Sequence, residues 1–288
     1  MTSVQTEVVE DPKGLLNEDD HMRDMERLRM EIVAIRQPFD SVMRVTGRIE
    51  PVDPVTWTLP NVAVRIEVES PAGQRPVSRV YTIRRYDSAL GEVEIDFVLH
   101  DDDSPAMRWL HAVQPGDDVW MTGPRPHFVP DHASGKQAAI FADETAIPAV
   151  FAILEAWPAD ATGTVWIEAG SLAAVDELPE VEGVEVHILQ RAKDEAAGTT
   201  GRLFAAARSA VADVSGWTVW AAGERQEMRD LRNHFRAAGM ARDDLKVLGY
   251  WKKGTSSSEL DRMRLAEYAR MRESGLSMDD MRDADIAV

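Results

Sequence analysis

Between residues 40 and 122 the apolar positions alternate with polar ones. Val62, Val64, Ile66 and Val68 share one face while Arg65 and Glu67 take the other, and Val93, Ile95, Phe97 and Leu99 repeat the pattern. A period of two marks half-buried antiparallel strands. The breaks between them are turn-forming: Pro71-Ala72-Gly73, Asp87 to Gly91 and Pro115-Gly116-Asp117. A β-barrel or sandwich is the natural way to close such a set. After the loop Pro124 to Gly135 the pattern changes. Short apolar runs at Ala138 to Ala142, Val165 to Ile167, Val184 to Leu189, Trp217 to Ala221 and Leu245 to Tyr250 alternate with helix-like stretches over 147–157, 202–211 and 224–238. Buried strands alternating with helices predict a mostly parallel α/β sheet. Such sheets take their ligands at the carboxyl ends of the strands.

Two flanking segments stand outside that plan. Residues 18–36 carry Met25, Leu28, Ile32 and Ile35 at helical spacing among many charges, and residues 256–273 carry Leu260, Met263, Tyr268 and Met271, with a cap expected among Ser256 to Ser258. Both read as helices that pack across the domains or offer a partner-binding or oligomerisation surface. The expected division is an acidic N-terminal segment and helix over 1–38, a β-barrel over 39–130, an α/β domain over 131–254 and a C-terminal helical tail over 255–288.

Composition narrows the chemistry. A chain of 288 residues, 44% hydrophobic, is long enough for two cored domains. It has no cysteine, which removes disulfides, thiol nucleophiles and thiolate-held iron–sulfur clusters; electron chemistry would need a bound organic cofactor. A formal net charge of −18 argues against nucleic acid and anionic membranes as partners, and requires any anionic ligand to find a locally basic site. The acidic, polar residues 1–20 hold no secretory signal, and no apolar run approaches the roughly 18–20 residues of a membrane span. A cytoplasmic protein is expected.

The stretch Arg79-Val80-Tyr81-Thr82 lies in the strand-patterned half. Tyr81 offers a ring for stacking, Thr82 a hydrogen bond to a ring nitrogen, and Arg79 a fixed cation for a phosphate or an anionic ring edge. Further on, Trp220-Ala221-Ala222-Gly223-Glu224 follows a strand and opens a helix, so free backbone N–H groups there could meet a phosphate; the same turn also serves as an ordinary strand-to-helix connection. No Gly-x-Gly-x-x-Gly fingerprint occurs, so NADH and NADPH are not distinguished. His127, Asp131 and His132 lie close together in a loop that also holds Pro126 and Pro130 and read as surface rather than metal site.

In order along the chain stand Arg79-x-Tyr81-Thr82, Asp96-Phe97-Val98-Leu99-His100, Pro105-Ala106-x-x-Trp109, Pro115-Gly116-Asp117, Gly123-Pro124, Asp143-Glu144-Thr145-Ala146-Ile147-Pro148-Ala149, Gly223-Glu224 and Gly249-Tyr250-Trp251. This collinear series, over roughly residues 40–254, resembles the siderophore-interacting protein family within the ferredoxin reductase-like superfamily. The resemblance implies an antiparallel Greek-key barrel that binds FAD and an α/β domain for NADH or NADPH. It also implies release of iron from a ferric siderophore by reduction. It assigns Arg79, Tyr81, Thr82, His100, Ser104 and Ala106 to the flavin, with His100 beside its phosphate linker. Asp143, Glu144 and Thr145 fall by the adenine end, where they would also cap a helix, and Gly223 and Glu224 go to the nicotinamide cofactor. Trp251, Lys252 and Lys253, at the end of the last strand, are presented to an anionic iron chelate. No side-chain catalyst is required. Electrons could come from the nicotinamide directly or through a partner such as ferredoxin. Two other readings share the scaffold: a general flavin reductase that owes nothing to Lys252 and Lys253, and a non-catalytic descendant binding a partner through the terminal helices.

Departures from the family pattern cluster where flavin phosphates belong. The chain reads His100-Asp101-Asp102-Asp103-Ser104-Pro105-Ala106-Met107, placing three carboxylates near a diphosphate and a thioether where a hydroxyl is usual. Phe141-Ala142-Asp143 replaces the usual Ala-Gly-Asp.

Overall fold

The computed structural model describes residues 25–71, 73, 76–100, 102–132 and 135–255, together with residues 259, 263, 266 and 270. Six antiparallel strands close into a barrel: β1 (Glu26–Phe39), β2 (Val42–Arg48), β3 (Val62–Glu69), β4 (Val77–Asp87), β5 (Glu92–Val98) and β6 (Asp118–Pro126). Their order around the barrel is β1-β2-β5-β4-β3-β6. The run β5-β4-β3-β6, three hairpin-linked strands with the next returning beside the first of them, is a Greek key. The alternating apolar residues point inward, where Ile66, Val93, Ile95, Phe97 and Met121 have no exposed surface.

The helix expected over 18–36 is not formed in its described part, because β1 occupies it. Leu28, Met30 and Ile32 are buried on alternate positions, while Arg27 pairs with Glu67 and Arg29 with Asp118 on the outer face. Leu28, Ile32 and Ile35 also fit a helical stripe. Pairing with both β2 and β6 closes the barrel and decides in favour of the strand. At the other end, Glu259, Met263, Ala266 and Arg270 are helical and exposed, whereas Ser256 to Ser258, Leu260, Tyr268 and Met271 lie outside the described residues, as do residues 1–24.

The second unit is a parallel sheet of β7 (Gln137–Asp143), β8 (Gly163–Ala169), β9 (Val184–Gln190), β10 (Trp217–Glu224) and β11 (Leu245–Trp251), in the order β11-β10-β7-β8-β9. All five match the apolar runs read from the sequence. The helix Ile147–Glu155 covers one face, and the helices Arg202–Ala210 and Arg225–Ala237 the other. Strand order reverses between β7 and β10. That switch opens a crevice at their carboxyl ends, and Asp143 and Glu224 end these two strands.

The two units meet along the outer face of β4. The Arg84 guanidinium lies 3.5 Å above the Phe151 ring of the helix Ile147–Glu155. Arg84 and Arg44 are both buried and share Asp96 of the barrel and Glu177 of the sheet unit. A second tie runs through the Phe128 carbonyl, which accepts from Asn61 Nδ2 at 2.7 Å and from Trp220 Nε1 at 2.8 Å.

Candidate functional site

On β4, Arg79 and Tyr81 share one face and Thr82 takes the other, as strand alternation requires. Arg79 is buried and donates from Nη1 to the Ser78 carbonyl at 2.9 Å. The Tyr81 ring centroid is 4.2 Å from Phe97, which in turn is 5.3 Å from Trp109. This aromatic row joins β4 and β5 to the helix Pro105–Ala112. Burial pushes the Tyr81 phenol up, with the Arg79 cation opposing, so the hydroxyl stays protonated at neutral pH.

The helix Pro105–Ala112 begins open. Pro105 sits in its first turn, where a missing N–H costs nothing. Ser104 is extended ahead of it, yet its hydroxyl makes no capping hydrogen bond. The first-turn N–H groups of Ala106 and Met107 therefore point out of the helix without that cap. The described carboxylates of the acidic run are already engaged. Asp102 Oδ1 accepts from Ser104 N at 3.0 Å, and Asp103 pairs with Arg108 at 3.4 Å. Asp101 lies outside the described residues. Met107 is a core side chain of the barrel, and its Sδ accepts from the backbone N–H of His100 at 3.4 Å. The structure thus brings His100, Ser104 and Ala106 to one helix start, with a partial positive charge suited to phosphate. The donor set fits FAD: a ring face at Tyr81, a hydroxyl at Thr82 and an anion site at Ser104–Met107.

The sheet side differs. Here backbone N–H groups that face the crevice are met by carboxylates of the chain itself. Asp143 Oδ1 accepts from Thr145 N at 2.9 Å and Thr145 Oγ1 at 2.5 Å, while Oδ2 accepts from Trp251 Nε1 at 2.7 Å. Glu144 accepts from Gly170 N at 3.2 Å and from Arg191 Nη2 at 2.6 Å. Glu224 caps the helix Arg225–Ala237, its Oε2 accepting from Gln226 N at 2.6 Å and Glu227 N at 3.1 Å; its Oε1 takes Lys253 N at 3.2 Å. Glu227 in turn accepts from Phe204 N, in the first turn of the helix Arg202–Ala210, at 3.1 Å. The N–H groups of Gln226 and Glu227, which follow the Gly223–Glu224 turn, are therefore occupied, as in an ordinary strand-to-helix connection.

Burial raises both interior acids. Asp143 is pushed up to about 6, against the opposing hydrogen bonds of Thr145 and Trp251. Glu227 is pushed up to about 7, with the carboxylates of Glu168, Asp143 and Glu224 adding to burial. Glycine spaces are also filled from within. A Cβ at Gly223 would stand 2.7 Å from Asp143 Oδ2, and one at Gly198 would stand 2.7 Å from Glu224 Cγ.

The last strand bridges the two sides. Tyr250 at the end of β11 donates to Asn61 Oδ1 at 3.5 Å, and Asn61 holds a left-handed φ of 56°. Burial pushes the Tyr250 phenol up to about 12, with a hydrogen bond to Thr82 opposing. Lys252 and Lys253 follow directly, and neither ammonium forms an ion pair with a described residue. His127 and His132 part company: the first donates its backbone N–H to the Asn61 carbonyl, and the second packs its ring edge-on against Trp157 at 4.5 Å. No cluster of three or more potential metal ligands occurs among the described residues.

Sequence reasoning missed Glu168, Glu227, Asn61 and Tyr250 as parts of this cleft. Glu168 did leave a signal, since it is a carboxylate ending the apolar run Val165-Trp166-Ile167.

Barrel, parallel sheet and intervening cleft together define the ferredoxin reductase-like fold. A ferredoxin reductase of carbazole 1,9a-dioxygenase superposes with a TM-score of 0.61 at 16% identity, over 79% of this chain and 69% of that one. The family follows from sequence. Residues 35–128 match the siderophore-interacting FAD-binding domain and residues 135–254 the siderophore-interacting protein domain, so the chain belongs to the siderophore-interacting protein family. It is 38% identical, over the full length of both proteins, to the ferric acinetobactin reductase of Acinetobacter baumannii. A solved siderophore-interacting protein from the same organism matches with a TM-score of 0.82 at 39% identity, over 87% of this chain and 100% of that one.

Proposed function

We propose that the protein is a flavin-dependent ferric-siderophore reductase that frees iron for use in the cytoplasm. The observation that carries this reading is the open start of the helix Pro105–Ala112 beside the Tyr81–Phe97–Trp109 aromatic row. It lies in a chain that matches the family's FAD-binding domain. Arg79, His100, Ser104 and Ala106 are assigned to the FAD phosphates, and Tyr81 and Thr82 to its ring. The uncharged adenine end is assigned to the Asp143-Glu144-Thr145 turn. FAD, when bound, supplies storage for two electrons and their delivery one at a time.

The chain's own part is to bind, orient and exclude water. The substrate's Fe(III) is held by hard oxygen donors that hold Fe(II) much more weakly, so one-electron reduction releases the metal without breaking a covalent bond. Tyr250 and Thr82 close the cleft from opposite units. Lys252 and Lys253 give an acidic protein a local positive edge for an anionic chelate. NADH or NADPH was the expected donor. The residues described speak for a reductase fed by an external electron donor.

The test is reduction of ferric acinetobactin, compared with a small neutral dye, after loading the purified protein with FAD. Changing Lys252 and Lys253 to Glu should slow chelate reduction about fivefold, roughly 1 kcal/mol, and leave the dye unaffected. A colourless protein that cannot be loaded with FAD sinks the reading, and equal effects on both acceptors favour a general flavin reductase.

A further inference from the structure

The crevice at the carboxyl ends of β7, β10 and β11 lies where an open α/β sheet offers helix N-termini to a dinucleotide's phosphates. Backbone N–H groups that could serve are held by the chain's own carboxylates at three places around it. Gln226 N and Glu227 N, in the first turn after β10, donate to the Glu224 carboxylate. Phe204 N, in the first turn of the helix Arg202–Ala210, donates to Glu227. Thr145 N, just after β7, donates to Asp143. A diphosphate entering here would have to displace carboxylates that already hold these donors, and then sit beside them. The repulsion is strengthened by burial, since Asp143, Glu168 and Glu224 are each no more than 5% exposed.

Space points the same way. Glycines in such crevices allow backbone to approach a phosphate. Here the open side of Gly223 faces Asp143 Oδ2 and that of Gly198 faces Glu224 Cγ and the Trp251 ring. The nearest buried cation is Arg191, which donates Nη2 to Glu144 and lies 3.7 Å from Glu168. Its Nε and Nη1 make no hydrogen bond, yet both are sealed from solvent.

We infer that this crevice is closed to polyphosphate anions by Asp143, Glu224 and Glu227, so that the reductase draws its electrons from a donor that places no dinucleotide pyrophosphate on the sheet. The position to which the resemblance assigns the nicotinamide cofactor is a carboxylate-filled structural core in this chain. The inference rests on the reductase reading only in supposing that a donor exists. The crevice's affinity for phosphates is a separate property.

The decisive measurement is calorimetric titration of the FAD-loaded protein with inorganic pyrophosphate, ADP, NADH and NADPH. It is repeated on the double variant Glu224→Gln, Glu227→Gln, with thermal melting to show that the variant is folded. The expected result is no saturable binding to the unaltered protein up to millimolar ligand, and binding tightened at least tenfold in the variant. Saturable binding of NADH or NADPH to the unaltered protein, unchanged in the variant, overturns the inference. A folded variant that gains no affinity for pyrophosphate or ADP overturns it as well, because the carboxylates would then not be what closes the crevice. A separate arm mixes dithionite-reduced protein with ferric acinetobactin. It needs no donor at the sheet, so its failure strikes the reductase reading while the titrations still decide the crevice.

Discussion

Two helix starts face the cleft of this protein, and they are built in opposite ways. At the barrel, Pro105–Ala112 begins behind Ser104 with no side-chain cap. At the sheet, Arg225–Ala237 begins behind Glu224, whose carboxylate takes two of its first-turn N–H groups. The same backbone geometry therefore leaves an uncapped start in one place and a self-satisfied cap in the other. A strand-to-helix turn is not a phosphate site by topology alone. What stands at the position before the helix decides it.

The contrast can be broken from the sheet side first. Glu227 holds its proton up to about 7, against 4.5 when exposed. The stability this group contributes is fully present below pH 4.5 and lost as pH rises through 7. Glu227→Gln keeps an acceptor for Phe204 N and removes the charge. After discounting for partial exposure, it should raise unfolding free energy by about 2 kcal/mol at pH 8. At pH 4 the gain should vanish. Denaturant midpoints at the two pH values give the answer, and a gain independent of pH would sink the account.

Next in size is a change that makes the barrel start resemble the sheet start. Ser104→Asp supplies a carboxylate cap and should weaken FAD binding about tenfold, or ~1.4 kcal/mol, while slightly stabilising the apoprotein. Retained flavin absorbance after gel filtration, with unchanged affinity, would show that the open start is not used. Smaller still is Trp251→Phe, which removes one donor from the buried Asp143 and should cost about 1 kcal/mol in thermal stability. Asp143→Asn in the same background should then recover part of the loss; no recovery would mean that the carboxylate's charge is not the burden.

The sequence made much of the fold legible, because alternation in the barrel and apolar runs in the sheet are both direct marks of burial. It failed at β1, where Leu28, Ile32 and Ile35 satisfy two periods at once and only pairing with strands distant in sequence chooses between them. In the site, Tyr81 and Thr82 were placed on a strand by residue type and order, while the helix that starts at Pro105 was not anticipated. The occupied state of Gly223–Glu224 was readable only in part. A carboxylate before a helix does signal a cap, but Glu168 and Glu227 join it through tertiary packing that no local window contains. The acidic run at Asp102 and Asp103 looked hostile to phosphate for the same reason. The partners that engage it, Ser104 N and Arg108, become visible only in three dimensions.

The ionic group that joins buried Arg44, Arg84 and Asp96 to the exposed Glu177 has a consequence for what the cleft admits. Parting the units would take Glu177 away and leave two buried cations around one aspartate, which opposes separation. The cleft is therefore a fixed gauge and not a hand that closes. A cleft tied in this way would sort iron chelates by fit rather than by closing on them. Small-angle scattering curves recorded with and without chelate should superimpose, and a change in radius of gyration would mean that the jaw moves after all.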